Sequence, residues 1–151
     1  MDYLDGKIQY NDSLELHFGN LWIATMLNEN SATYESIRSI GIDIISSEYL
    51  RQQITNLYSV VYNYLKTVES SYEQLLFTNV YPVLSEHIKT IGYYGKAIPL
   101  NISQITESNS LKESIKINRN YIFFIMLEYQ DAQVLIKELI RAIENELAQY
   151  K

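Results

Sequence analysis

The chain has no cysteine, which removes disulfide staples and thiolate metal sites in one stroke. That absence leaves the compartment open, because a reducing cytosol and a bacterial periplasm both accept it. With five glycines and two prolines, there is no low-complexity tract, and no internal repeat is visible. No apolar run approaches the ~20 residues of a bilayer-spanning helix; the longest, Tyr121 to Leu127, is closed by Glu128. Met1-Asp2-Tyr3-Leu4-Asp5 lacks the basic start and apolar core of a signal peptide. The chain as given is therefore expected to be soluble.

A basic stripe is missing too. The net charge is −6, and residues 1–46 carry seven acids (Asp2, Asp5, Asp12, Glu15, Glu29, Glu35, Asp43) against Lys7 and Arg38. Residues 111–151 balance six acids with six bases. A nucleic-acid binder needs clustered cations to displace counterions from phosphates, so no nucleic-acid partner is expected. Attraction to an anionic membrane surface is equally weak.

What the sequence does have is length, apolar content and periodicity. At 151 residues and 47% apolar composition, the chain can bury a core without staples and reads as a single helical domain over residues 1–151. Leu111, Ile115, Asn118, Ile122, Ile125, Tyr129, Ala132, Ile136, Leu139 and Ile143 recur in alternating steps of four and three. That spacing predicts a long helix over about 110–150, laid against partner helices. Ser110 with Glu113 reads as its capping box. A second seam, Leu50, Ile54, Leu57, Val61, Leu65, Val68, Tyr72 and Leu75, predicts a helix over about 48–80. Ser46 or Ser47 caps it, Tyr58 and Tyr64 widen its stripe, and Pro82 breaks or kinks it.

Upstream, Asn11, Asp12 or Ser13 opens a shorter N-terminal helix with Leu14, Phe18, Leu21, Trp22 and Thr25 on one face. Another short helix runs from Thr33 or Tyr34 to Ile40, with Ile37 and Ile40 inward and Gly41 as its stop. Residues 42–47 read as a buried turn. Residues 81–109 read as an irregular connection that has room for a short helix from Val83 to Ile91. The fold class is all-α: an elongated helical bundle with two long heptad-patterned helices.

Fourteen tyrosines stand against one tryptophan and four phenylalanines. A tyrosine offers an apolar ring and a wet hydroxyl, which suits either the shoulders of a narrow bundle or a recognition surface. Asn118 interrupts the last seam. It either fixes register or partner number, or marks, with Arg119 and Asn120, the point where the helix leaves the bundle.

No catalytic, cofactor-binding or metal-ligating residues are assigned, and no cofactor is expected. The two histidines, His17 and His87, have Leu14 and Leu84 three residues before them, so the Glu-x-x-His pattern of a bundle di-iron site is absent. Gly92-x-x-Gly95 lacks the flanking bases of a nucleic-acid clamp and reads as a tight turn. No serine stands in a nucleophile-elbow setting.

The stretch from Ser31 to Tyr58, above all Tyr34-Glu-Ser-Ile-Arg-Ser-Ile-Gly41, resembles the central block of an uncharacterised bacterial membrane-anchored family, a domain of unknown function. Tyr3 to Leu14, with His17-Phe18-Gly19, and more loosely the C-terminal helix, are similar to it as well. The resemblance implies an N-terminal membrane anchor, a further long helix and a periplasmic helical region, tethered to the inner membrane. Anchor and first long helix are not in this sequence, so it reads as an excised portion or a shortened relative, with part of a seam left uncovered. The functional expectation is a non-enzymatic interaction or signal-input module with a protein partner or a tendency to self-associate. The alternative is a small-ligand sensor with a pocket among Trp22, the tyrosine-rich middle helix and the 92–99 loop; an enzyme of unidentified type comes third.

Overall fold

A computed structural model describes residues 1–24, 26–91 and 95–149. It is mostly helical, with one small two-stranded sheet. In order come α1 (Leu14–Asn20), α2 (Ala32–Ile40), a 3₁₀ turn (Ile42–Ile44), α3 (Glu48–Asn56), a π turn (Leu57–Val61), α4 (Tyr62–Leu75), a second π turn (Leu76–Val80), α5 (Tyr81–His87), β1 (Ile88–Ile91), β2 (Lys96–Pro99), α6 (Ile102–Ile105) and α7 (Asn109–Ala148). The chain forms two compact units: residues 1–25 with 71–123, and residues 26–70 with 124–151.

In the first unit, of the break or kink expected at Pro82, the break does not occur. The helical path continues to His87, with Pro82 in the first turn of α5 directly after the second π turn. Proline lacks an N–H and crowds the carbonyl four residues back; a widened turn just before it relieves both problems. The same π turn explains the core spacing. Tyr72, Leu76, Val80 and Leu84 are all buried in successive steps of four, which drift off one face of a 3.6-residue helix. One wide turn absorbs the drift. Leu76 therefore replaces the expected Leu75 on the inward side.

The second correction is the sheet. Residues 81–109, expected to be irregular, contain the antiparallel pair Ile88–Ile91 and Lys96–Pro99, with Ile88 opposite Pro99 and Ile91 opposite Lys96. Residues 88–91 are thus strand, not the tail of a helix. Ile88, Ala97 and Pro99 point inward. Pro99 cannot donate to a ladder, a deficit that a two-stranded sheet tolerates because both strands are edges. Of the expected 92–96 turn, residues 92–94 lie outside the described residues.

α1 packs on β2 at a very short distance. A Cβ built on Gly19 would stand 1.9 Å from the Gly95 carbonyl oxygen, so only glycine allows this crossing. Lys96 on β2 joins Glu15 on α1 at 3.0 Å. The Asn11 side chain accepts from Ser13 N at 3.1 Å just before the helix starts. α1 ends at Asn20, earlier than its apolar face suggested, and Thr25 lies outside the described residues.

In the second unit, Ser47 caps α3 by accepting from Leu50 N at 3.3 Å, as expected. Along α3 and α4, Leu50, Leu57, Leu65 and Val68 are buried. Tyr58 is half-buried, whereas Tyr64 is exposed. Gly41 ends α2 with φ +118°, a backbone region that suits glycine. Ile40 is not inward as expected: it is 74% exposed, because α2 presents Tyr34 and Ile37 to the unit instead. The turn after it is real but not buried, with Ile44 exposed.

α7 enters both units. In the first, its cap is Ser108, whose hydroxyl accepts from Leu111 N at 3.2 Å, rather than Ser110; Glu113 pairs with Lys116 at 2.6 Å and takes no part in a capping box. Leu111, Ile115 and Asn118 are buried there, while Ile122 is 41% exposed, against expectation. In the second unit Ile125 and Ala132 are buried and Tyr129, Ile136, Leu139 and Ile143 are half-buried.

Gly19→Ala is expected to destabilise the protein by at least about 2 kcal/mol, since backbone faces the new methyl and cannot step aside. Gly6→Ala has only a positive φ to accommodate and nothing within 4 Å, so it should cost about 1 kcal/mol. Urea unfolding of both variants checks the order.

Candidate functional site

Polar groups buried in a helical core need partners. In the first unit Asn118, 2% exposed on α7, has one, whereas Ser114, a turn earlier on the same helix, keeps a buried hydroxyl without a partner among the described residues. The Tyr72 hydroxyl on α4 donates to Asn118 Oδ1 at 2.7 Å. Burial pushes the Tyr72 hydroxyl up to about 12, so it keeps its proton and stays the donor. The Tyr72 ring stacks on Tyr121, centroids 5.4 Å apart. Asn118 therefore does not mark an exit from the core; it is tied into it. Its amide Nδ2 has no acceptor among the described residues.

Asn118 also lines a cavity of about 470 Å³, open to solvent on one side and walled by Tyr3, Leu4, Phe18, Ile115 and Ile122, with His17, Asp2 and Arg119 at its polar margin. Tyr3 and Phe18 meet edge to face at 6.1 Å, and the Tyr3 hydroxyl donates to the Ile102 carbonyl at 3.3 Å. Asp2 is held by Lys7 at 3.6 Å. Arg119 has no carboxylate partner among the described residues.

Trp22, expected to line a pocket, has an aromatic partner. The Trp22 ring stacks on Tyr81 at 5.2 Å, and the Tyr81 hydroxyl donates to the Trp22 carbonyl at 3.1 Å. Trp22 is not among the residues of the 470 Å³ cavity, and residues 92–94 of the expected 92–99 wall lie outside the described residues.

In the second unit the buried polar group is Glu69, 4% exposed on α4. Its Oε1 accepts from Leu27 N at 2.7 Å and from the Tyr129 hydroxyl on α7. Burial first, then this hydrogen bond and the nearby Glu69 charge, hold the Tyr129 hydroxyl well above the usual phenol range. A polar cleft of about 150 Å³ lies elsewhere in the unit, lined by Tyr34, Tyr58, Tyr62, Glu35 and Arg38 among others. Tyr34 and Tyr58 stack face to face at 4.3 Å, and Tyr58 meets Tyr62 edge-on. Its charges satisfy one another: Lys66 pairs with Glu29, and Arg38 with Glu35 at 3.7 Å. The hydrogen bond from Lys66 holds the Glu29 carboxyl below its ordinary range.

His17 and His87 are far from forming a metal centre: His87 Nδ1 is 2.9 Å from the Val83 carbonyl, and no cluster of three metal-ligating side chains exists among the described residues. No helix among them is long and apolar enough to cross a membrane. No family model, curated relative or solved structure matches this chain.

The Tyr72 hydroxyl makes stability depend on pH. Its proton is held more tightly in the folded chain than at the unfolded value of 10.0, so its contribution is whole below about pH 10 and is lost as pH rises towards 12. Tyr72→Phe should cost about 1–3 kcal/mol at pH 8 by leaving Asn118 without its donor. The gap between wild type and variant should narrow between pH 10 and pH 11.5 in denaturant titrations.

Proposed function

We propose that this chain is a non-enzymatic helical interaction module, an elongated bundle that belongs to the periplasmic part of an inner-membrane-anchored bacterial protein. The observation that carries the reading lies on α7 in the second unit. Ile125 and Ala132 face the core there, while Leu127 and Val134, seven residues apart on the other side of the same helix, are exposed. Two large aliphatic side chains spaced by two helical turns make a stripe that a partner helix can cover. The charge around them is mixed rather than of one sign, with Asp131, Lys137, Glu138 and Arg141 nearby in sequence, which suits a protein partner better than a phosphate backbone.

The compartment and the anchor rest on the family resemblance of the Tyr34–Gly41 block. The occupant of the stripe is taken to be a second copy of this chain.

Leu127→Glu/Val134→Glu tests this, because both positions are exposed and the change should move stability by less than about 0.5 kcal/mol. Sedimentation of the wild-type chain should show a concentration-dependent dimer, and the double variant should sediment as a monomer with its melting temperature retained. A wild-type chain that stays monomeric at every concentration would contradict the reading.

A further inference from the structure

The cavity of the first unit lies apart from the α7 stripe and has the marks of a small-molecule site. At about 470 Å³ it falls in the range of ligand pockets, which are apolar hollows with a few convergent polar groups. Leu4, Phe18, Ile115 and Ile122 supply the apolar wall. The polar groups are neighbours in sequence, Asn118 and Arg119, and both are donors. Asn118 is buried in a seam position where an aliphatic residue would pack better, yet only its oxygen is used within the protein. Its amide N–H₂ has no acceptor among the described residues and is not sealed in the core, so it is open to whatever fills the cavity that Asn118 lines. Arg119 adds a full positive charge with no carboxylate partner among the described residues.

The signs of the remaining groups narrow the choice. His17 is a further nitrogen on the margin, and the only acid there, Asp2, is already held by Lys7. A cationic ligand would meet Arg119 without a free counter-charge. A polyanion would meet both Asp2 and a chain of net charge −6. A single carboxylate suits the pair, since the amide and the planar guanidinium can each donate to one of its oxygens.

We infer that this cavity binds a small organic monocarboxylate with an apolar body, its hydrocarbon part against Phe18, Ile115 and Ile122 and its carboxylate on the Asn118 amide and the Arg119 guanidinium. The binding is a property of the first unit and is independent of the oligomeric state proposed above.

Calorimetric titration of the full chain with butanoate, hexanoate and octanoate, and with octanamide as the uncharged counterpart, tests it. Affinity should rise by about fourfold per added methylene until the cavity is filled, and octanoate should bind at least ten times more tightly than octanamide. Arg119→Gln, at an exposed position, should abolish that preference and leave octanamide binding as it was. Ile122→Trp, at the open margin, should fill the hollow and remove binding of both. The inference is overturned if the wild-type chain gives no binding heat with any of these probes, if octanoate and octanamide bind equally, or if octanoate binds Ile122→Trp as well as it binds wild type.

Discussion

A buried hydrogen-bonding group is more demanding than a buried methyl, because it has an energy minimum only where its partner stands. Each compact unit of this protein has one such pair joining α4 to α7: Tyr72 to Asn118 in the first unit, and Glu69 to Tyr129 in the second. Aliphatic seams alone tolerate a slip of one heptad, since leucine meets isoleucine equally well in several registers. A slip that separates Tyr129 from Glu69 leaves the Tyr129 hydroxyl without its acceptor and the buried Glu69 carboxyl with only the Leu27 N–H, at about 1–3 kcal/mol for an orphaned group. In the second unit the remaining contacts between these helices agree with that one register: Ser46 reaches Glu146, and Leu57 and Val61 lie beside Leu135 and Leu139. α7 therefore runs antiparallel to α3 and α4 within that unit.

Much of the helical content was legible because apolar period is a strong signal over long segments. Leu50, Leu57, Leu65, Val68, Leu111, Ile115 and Ala132 are buried where their spacing placed them. The pattern failed where local chemistry competes with it. Pro82 reads as a break or a kink, but the π turn at Leu76–Val80 accommodates it without a break, and a π turn leaves no mark in sequence beyond apolar residues spaced by fours. The sheet was hard to read: Ile88-Lys-Thr-Ile91 has three β-favouring residues, but in Lys96-Ala-Ile-Pro99 only Ile98 favours a strand. The meaning of Gly19 is the 1.9 Å approach of Gly95, which depends on a strand some 75 residues later in the chain and leaves no local mark. Ile40 was misplaced because a nine-residue helix gives too few turns to fix its inward side by period.

The candidate site was half legible. Asn118 stood out as a polar residue in an aliphatic seam, but nothing in the sequence names Tyr72 as its partner or joins residues 3–18 to residues 115–122 around a hollow. Such convergence comes from tertiary packing, and the residues involved are ordinary ones. The tyrosines divide in the same manner. Tyr72 is a buried and Tyr129 a half-buried hydrogen-bond donor, and Tyr34 and Tyr58 form a stack, so a single compositional excess serves several structural roles. The two proposals for function draw on different parts of the molecule, a stripe on α7 in one unit and a cavity in the other, and neither requires a catalytic group.

The claim beneath both is that buried polar pairs, rather than the aliphatic seams alone, seat α7. A double-mutant cycle on Glu69→Leu and Tyr129→Phe, read by urea unfolding at pH 7, measures this most directly. The account predicts a coupling of at least about 1 kcal/mol between the two sites, with the double variant less destabilised than the sum of the single ones. Additive losses would contradict it and would leave the seams as the sole determinant of register.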